Sequence, residues 1–204
     1  MPTQTFANLP AEKRIRIIKA AKEEFSQYSF YDASINRIIK EAQIPRGSFY
    51  RYFENKEDLF LYLLKEYKND ISNRINNMTH DRVGNFFSLH FMLFDYITNK
   101  AMEPAHSKFL INVFTRTDIK LAEHLMSFTD TREKEVQQET LMKLVAGTHL
   151  SKLENKEDVL HVIAILRTIT FNQIILALKD LSSVKQIRKD MDRQFHFLKY
   201  GVLK

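Results

Sequence analysis

The residues best suited to do chemistry in this chain lie close together: Arg46, Ser48, Tyr50, Arg51, Tyr52 and Lys56, with Ser34 and Arg37 just upstream. Arginine offers a planar fork of donors that fits O6 and N7 of guanine, so an arginine at the start of a short helix can read a base edge. The hydroxyls of Ser48, Tyr50 and Tyr52 and the ammonium of Lys56 suit phosphate oxygens, contacts that set register without reading sequence. Gly47 allows close backbone approach or tight helix packing. Tyr50 and Tyr52 could instead serve the core, as Phe49 and Phe53 are expected to do.

These residues need helices to position them. Pro45 cannot continue a helix interior but suits the first turn of a new one, so a short helix is expected from Pro45 through Tyr52. Before it, Ser34 can cap a helix whose apolar face is Ile35, Ile38, Ile39 and Ala42. Two short helices joined at Gln43–Ile44 follow the helix-turn-helix plan, in which the second helix enters the major groove. A supporting helix over residues 10–27 carries Ile17, Ile18, Ala21, Phe25 and Tyr28 on one face. Asn55 opens a fourth helix to about Met78, with Glu57 and Asp58 at the positive end of its dipole.

The remainder reads as further amphipathic helices. Residues 82–100 are rich in aromatics, a helix is expected from Pro104 with Phe109, Leu110, Val113 and Phe114, and one or two more fill residues 118–149, with a break near Thr129–Asp130 and an end near Gly147. Asn155–Asp158 repeats residues 55–58 letter for letter, which we read as one helix-start chemistry used twice. The helix from there to about Leu181 carries Val159, Ile163, Leu166, Ile169, Gln173 and Leu176. The last helix, about 183–203, carries Val184, Ile187, Met191, Phe195, Leu198 and Val202 at steps of three and four. With four glycines and four prolines among 204 residues, strands joined by tight turns are not expected, and the fold class is all-α.

Composition narrows the function. The chain has no cysteine, which excludes disulfides, thiolate metal sites and cysteine nucleophiles. Seven scattered histidines lack ligand spacing, and neither HExxH, GxSxG nor a phosphate-cradling glycine loop occurs, so no enzyme, metal or cofactor is expected. No signal pattern opens the sequence and no run of eighteen apolar residues occurs, so a cytoplasmic protein without a membrane span is expected. The net charge is +6; residues 1–56 hold ten bases and six acids, hence +4 of that total. A basic N-terminal quarter suits a polyanion, although a solvated helix surface would have the same composition.

The stretch Ala33–Leu59 resembles the N-terminal signature of the TetR family of repressors. The features that carry this are Ile38-Ile39-x-x-Ala42, Gly47, Phe49-Tyr50-x-Tyr52-Phe53, Lys56 and Leu59, with Ile17-Ile18-x-Ala20-Ala21 and Phe25 upstream. The match covers about residues 10–62. Ser29 and Gln43 stand where the family usually has glycine, and Pro45 replaces a common small polar residue; an altered turn is expected rather than a lost motif. The resemblance implies a helix-turn-helix DNA-binding domain over 1–54 and an effector-binding and dimerisation domain over 55–204. It further implies double-stranded operator DNA, a small-molecule effector and a second copy of the chain as partners. DNA contacts are then expected from Ser34, Arg37, Pro45, Arg46, Gly47, Ser48, Tyr50, Arg51, Tyr52 and Lys56. A four-helix dimer interface would use Val159, Ile163, Leu166, Gln173, Ile187, Met191, Phe195 and Leu198.

The phenylalanine-rich middle points to a hydrophobic or aromatic effector. Candidate lining residues are Phe87, His90, Phe91, Phe94, Phe109, Asn112, His149 and Phe171, the polar ones being on otherwise apolar stretches. The competing expectation is a helical protein-interaction module whose basic face binds an acidic partner without sequence preference.

Overall fold

A computed structural model of the chain describes residues 2–80, 86–116 and 156–201. Every regular element among the described residues is helical. A short α1 (Gln4–Ala7) precedes α2 (Ala11–Gln27), α3 (Ile35–Glu41), α4 (Arg46–Tyr52) and the long α5 (Lys56–His80). Then come α6 (Phe86–Met102) and α7 (Ser107–Thr115), and after residue 155 α8 (Lys156–Lys179), a 3-10 turn (Leu181–Ser183) and α9 (Val184–Tyr200). The helices expected over 118–149, the break near Thr129–Asp130, Gly147 and Asn155 lie outside the described residues.

Local chemistry explains most boundaries. Pro10 sits immediately before α2, where a missing N–H costs nothing. At α5, Asn55 Oδ1 accepts from the Asp58 N–H at 2.8 Å while the Asp58 carboxylate accepts from the Glu54 N–H at 3.2 Å, a reciprocal cap shifted one residue from the usual box. Asp180 accepts from the Ser182 N–H at 3.1 Å, ending α8 and starting the 3-10 turn. Two expectations are corrected. The helix expected from Pro104 begins at Ser107, because the N–H groups of His106 and Ser107 both turn back to the Glu103 carbonyl. Ser34 stands at the start of α3 but its hydroxyl makes no capping bond.

The N-terminal unit packs α2, α3 and α4 around Ile17, Ala21, Phe25, Ile38, Ala42, Phe49 and Phe53, all essentially inaccessible. Burying each large side chain of this kind contributes roughly 1.5–3 kcal/mol. The sequence reading did not anticipate α1. Its Phe6 enters the same core against Tyr52, Phe53 and Tyr62, and the Thr3 N–H and hydroxyl donate to the carbonyls of Tyr52 and Arg51 at 3.0 and 2.6 Å. The chain's first residues thereby fix the end of α4. The body is built from α6, α7, α8 and α9, with Phe94, Leu110, Leu166 and Phe195 fully buried. The two units meet where α7 lies along α2 and where α5 runs from one into the other.

Candidate nucleic-acid interface

The turn between α3 and α4 determines what α4 can present. Gln43 has φ 51, alone among the described non-glycine residues in having a positive φ. Its N–H donates to the Lys40 carbonyl at 3.2 Å and the Ile44 N–H to the Ile39 carbonyl at 3.1 Å. This is a Schellman ending, and the buried pair Ile39 and Ile44 supplies its hydrophobic contact. The altered turn expected at Gln43 is thus a left-handed residue in a complete motif. At Ser29 no such strain arises; its hydroxyl donates to the Asp32 carboxylate at 2.6 Å instead.

With the turn fixed, α4 buries Phe49 and Tyr52 and turns Pro45, Arg46, Gly47, Tyr50 and Arg51 outward, Ser48 being half-buried. The two tyrosines part company. Tyr50 is 48% exposed, whereas Tyr52 is 4% exposed and belongs to the core. Gly47 is not needed for packing inside the chain: a Cβ there would meet nothing within 4 Å.

Two bases expected to face outward are engaged within the chain. Arg37 donates to both oxygens of the buried Glu24 carboxylate at 2.9 and 3.0 Å and to the Asp32 carbonyl at 2.8 Å, and its guanidinium lies 3.9 Å from the centre of the Tyr28 ring. The bond to Glu24 raises its pKa further above the ordinary arginine value. The same carboxylate accepts the Ser34 N–H at 2.7 Å, so Glu24 satisfies the N–H of the residue that opens α3, a different donor from the first-turn N–H groups that the Ser34 hydroxyl was expected to cap. Sequence reading missed Glu24 because an acid beside Glu23 on an amphipathic helix looks like a solvated one. Lys56 donates to the carbonyls of Tyr31 and Ala33, both at 2.9 Å, and lies over the Phe30 ring. Partial burial lowers its pKa against the opposing pull of Asp32 and Glu24.

The body also departs from expectation. The Asn112 amide is turned to the backbone of α2: it donates to the carbonyls of Phe25 and Tyr28 at 2.7 and 2.6 Å, and Arg116 donates to that of Gln27 at 3.2 Å. Together they satisfy the carbonyls at the C-terminal end of α2 and pin it to α7. His90 is buried between α6 and α8, its Nδ1 2.9 Å from the Thr170 hydroxyl and its ring edge-on to Phe195. Phe87, Phe94 and Phe109 are core residues, Phe91 lies against Phe195 and under Arg188, and Phe171 packs near Phe114. His149 lies outside the described residues.

Of the expected interface residues, Leu166, Gln173, Met191 and Phe195 are buried in the chain's own core, with Gln173 bonded to Gln194 at 3.1 Å. Ile163 and Ile187 are half-buried against that core and Leu198 is exposed; the side chain of Val159 lies outside the described residues. Leu160, Ile165 and Leu176 of α8 face outward. By length and composition alone, Leu160–Lys179 could cross a membrane, with mean hydropathy 1.6, but here it packs on α6, α7 and α9.

Comparison with known proteins agrees with this architecture. Residues 17–63 match the family described as bacterial regulatory proteins, tetR family, and residues 85–202 match the tetracyclin repressor-like C-terminal domain. The uncharacterised helix-turn-helix-type transcriptional regulator YdgC of Bacillus subtilis is 40% identical over 68 residues, 33% of either chain. The transcriptional regulator HbdR of an Aromatoleum species is 35% identical over 80 residues, 37% of this chain and 35% of that one. These matches span about a third of each relative. Among solved structures, the regulator FadR of Bacillus subtilis in complex with stearoyl-CoA superposes with a TM-score of 0.60 at 15% identity, over 93% of this chain and 99% of that one. A TetR family regulator from Chloroflexus aurantiacus gives 0.53 at 21% identity over 98% of both, and these likenesses bear on the fold. With both halves matched and an outward-facing second helix in place, the chain belongs to the TetR family of helix-turn-helix transcriptional regulators.

Proposed function

We propose that the protein is a repressor that binds a near-palindromic operator as a homodimer in the cytoplasm and is released by a small hydrophobic or aromatic effector. The observation that carries this is the outer edge of α4. It combines a guanidinium at Arg46, a phenol at Tyr50 and a glycine whose missing side chain leaves open space, all on a helix anchored by its opposite face. Arg46 would read a guanine edge, Tyr50 and Arg51 would hold phosphates, and Gly47 would let the backbone approach the duplex. Lys56 spends two of its donors on carbonyls, and its third N–H suits a phosphate. Arg37 and Tyr52 act indirectly in this reading, by fixing α3 and α4. Residues 1–54 read the DNA and 55–204 bind the effector and the second copy, whose two-fold axis sets the operator's symmetry.

Release requires an effector that binds the non-operator conformation better. The apolar body favours a hydrophobic ligand, and the FadR complex with stearoyl-CoA makes a long-chain acyl thioester a sensible member of the test panel, beside aromatic drugs and hydrophobic cations. The deciding experiment measures binding to DNA from the protein's own upstream region at two salt concentrations. Wild type is expected to select one near-palindromic site. Arg46→Ala should cost about 1–3 kcal/mol at one base position and relax preference there, while Tyr50→Phe weakens all sequences alike. Salt-sensitive binding to any DNA, unaffected by either change, would overturn the reading in favour of a basic interaction surface.

A further inference from the structure

The seam between the N-terminal unit and the body contains a cleft of about 400 Å³ that the DNA-reading edge does not use. One wall is α2, with Ile15, Ile18, Lys19 and Lys22; the other is the α6–α7 turn and the start of α7, with Pro104, Lys108 and Phe109. Its volume falls within the roughly 300–1,000 Å³ of small-molecule sites. Ile15 is 64% exposed, so its side chain is open to a ligand at the rim of the cleft. Lys19 and Lys108 are exposed, and Lys22 faces Glu66 only at 4.0 Å, too far for a good hydrogen bond. The one carboxylate in the lining, Glu23, accepts from Gln27 at 2.7 Å.

We infer that this cleft is a second ligand site, for a small amphipathic anion whose apolar tail lies on Ile15 and Ile18 and whose head lies among Lys19, Lys22 and Lys108. Three ammoniums against the carboxylates of Glu23 and, beside Lys22, Glu66 leave the opening with a net positive charge, attractive to an anion and repulsive to a cation of the same shape. The site has a place in regulation because its walls belong to different units. An anion held by lysines of both α2 and α7 adds a link between the two helices that Asn112 and Arg116 already join at the C-terminal end of α2. Its occupancy would therefore set how the reading unit sits on the body. The existence of the site does not depend on operator binding.

The test uses decanoate as the probe and the full-length protein with isoleucine methyl groups labelled for NMR, beside calorimetric titration. Decanoate is expected to shift the methyl signals of Ile15 and Ile18 and to bind once per chain. In Lys19→Gln/Lys108→Gln, both sites being exposed, the affinity should fall at least tenfold with an unchanged melting curve, and Ile15→Ala should weaken it through the lost wall. Decyltrimethylammonium should leave the Ile15 and Ile18 signals in place. The inference is overturned if decanoate does not bind, if its affinity ignores the lysine changes, or if the cation shifts the same methyls equally. None of these readouts involves DNA, so a failure here and a failure of the repressor reading are told apart.

Discussion

His90 shows how a single buried residue carries a measurable consequence. Enclosed between α6 and α8, its imidazole has its pKa lowered to about 4, first by burial and then by the charge of Arg167. A histidine that stays neutral in the folded chain but titrates near 6.5 when unfolded makes the unfolded state bind more protons between those values. Its contribution to stability is therefore complete above about 6.5 and lost as the pH falls toward 4. Between pH 7 and 4.5 this amounts to about 2 kcal/mol. Denaturant unfolding at the two pH values should show a smaller loss for His90→Gln than for wild type, and equal losses would mean that His90 is charged or accessible in the native protein. A polar residue on an apolar stretch was visible in the sequence at both His90 and Asn112. What it meets was not, because the partners are 80 residues away for His90 and 87 and 84 for Asn112. Spacing reports burial; it does not report which distant carbonyl or hydroxyl the fold will bring.

At the scale of elements, legibility followed the reach of the chemistry that sets each boundary. Pro10 and Asn55 act on the next few residues, and the starts of α2 and α5 were readable to within a residue. Pro104 acts just as locally, but the N–H groups of His106 and Ser107 turn back to Glu103, and α7 starts later. The turn before α4 was legible as a departure at Gln43, whose left-handed backbone is disfavoured for a residue with a Cβ by about 1 kcal/mol. Gln43→Gly should relieve that strain within the same Schellman geometry, offset in part by the greater freedom of glycine in the unfolded chain. A gain of about 0.5 kcal/mol is expected, a rise of one or two degrees in Tm for a chain of this size. A fall in Tm would mean that the Gln43 side chain makes a stabilising contact that outweighs its backbone strain. The α1 segment was invisible beforehand, since four helical residues carry too little periodicity to read and their value lies in Phe6 reaching the core of α4.

For the whole molecule, the apolar stripe of α8 pointed to a helix with more apolar surface than one neighbour needs. Which residues face which neighbour was hidden, because the stripe serves two customers on opposite sides. Leu166, Thr170, Gln173, Ile174 and Ala177 turn into the chain's own core, while Ile165 and Leu176, at 46% and 43% exposure, point away from it. Only 28% of the Leu160–Lys179 window is buried within the chain. If α8 meets its copy across a two-fold axis, the outward residues rather than Leu166 and Gln173 hold the dimer. A two-fold interface repeats each residue, so Ile165→Glu/Leu176→Glu places four carboxylates in one contact while leaving the protomer core intact. Sedimentation equilibrium is expected to find a dimer for wild type and a folded monomer for the double variant, which would also lose selective operator binding because one half-site supplies only part of the contacts. A double variant that stays dimeric would move the interface to the exposed Phe197 and Leu198 of α9. The inward residues offer the control: Leu166→Ala, at a fully buried position, should lower the stability of the protomer by roughly 2–5 kcal/mol whether or not it dimerises, so loss of fold and loss of partner are read in different variants.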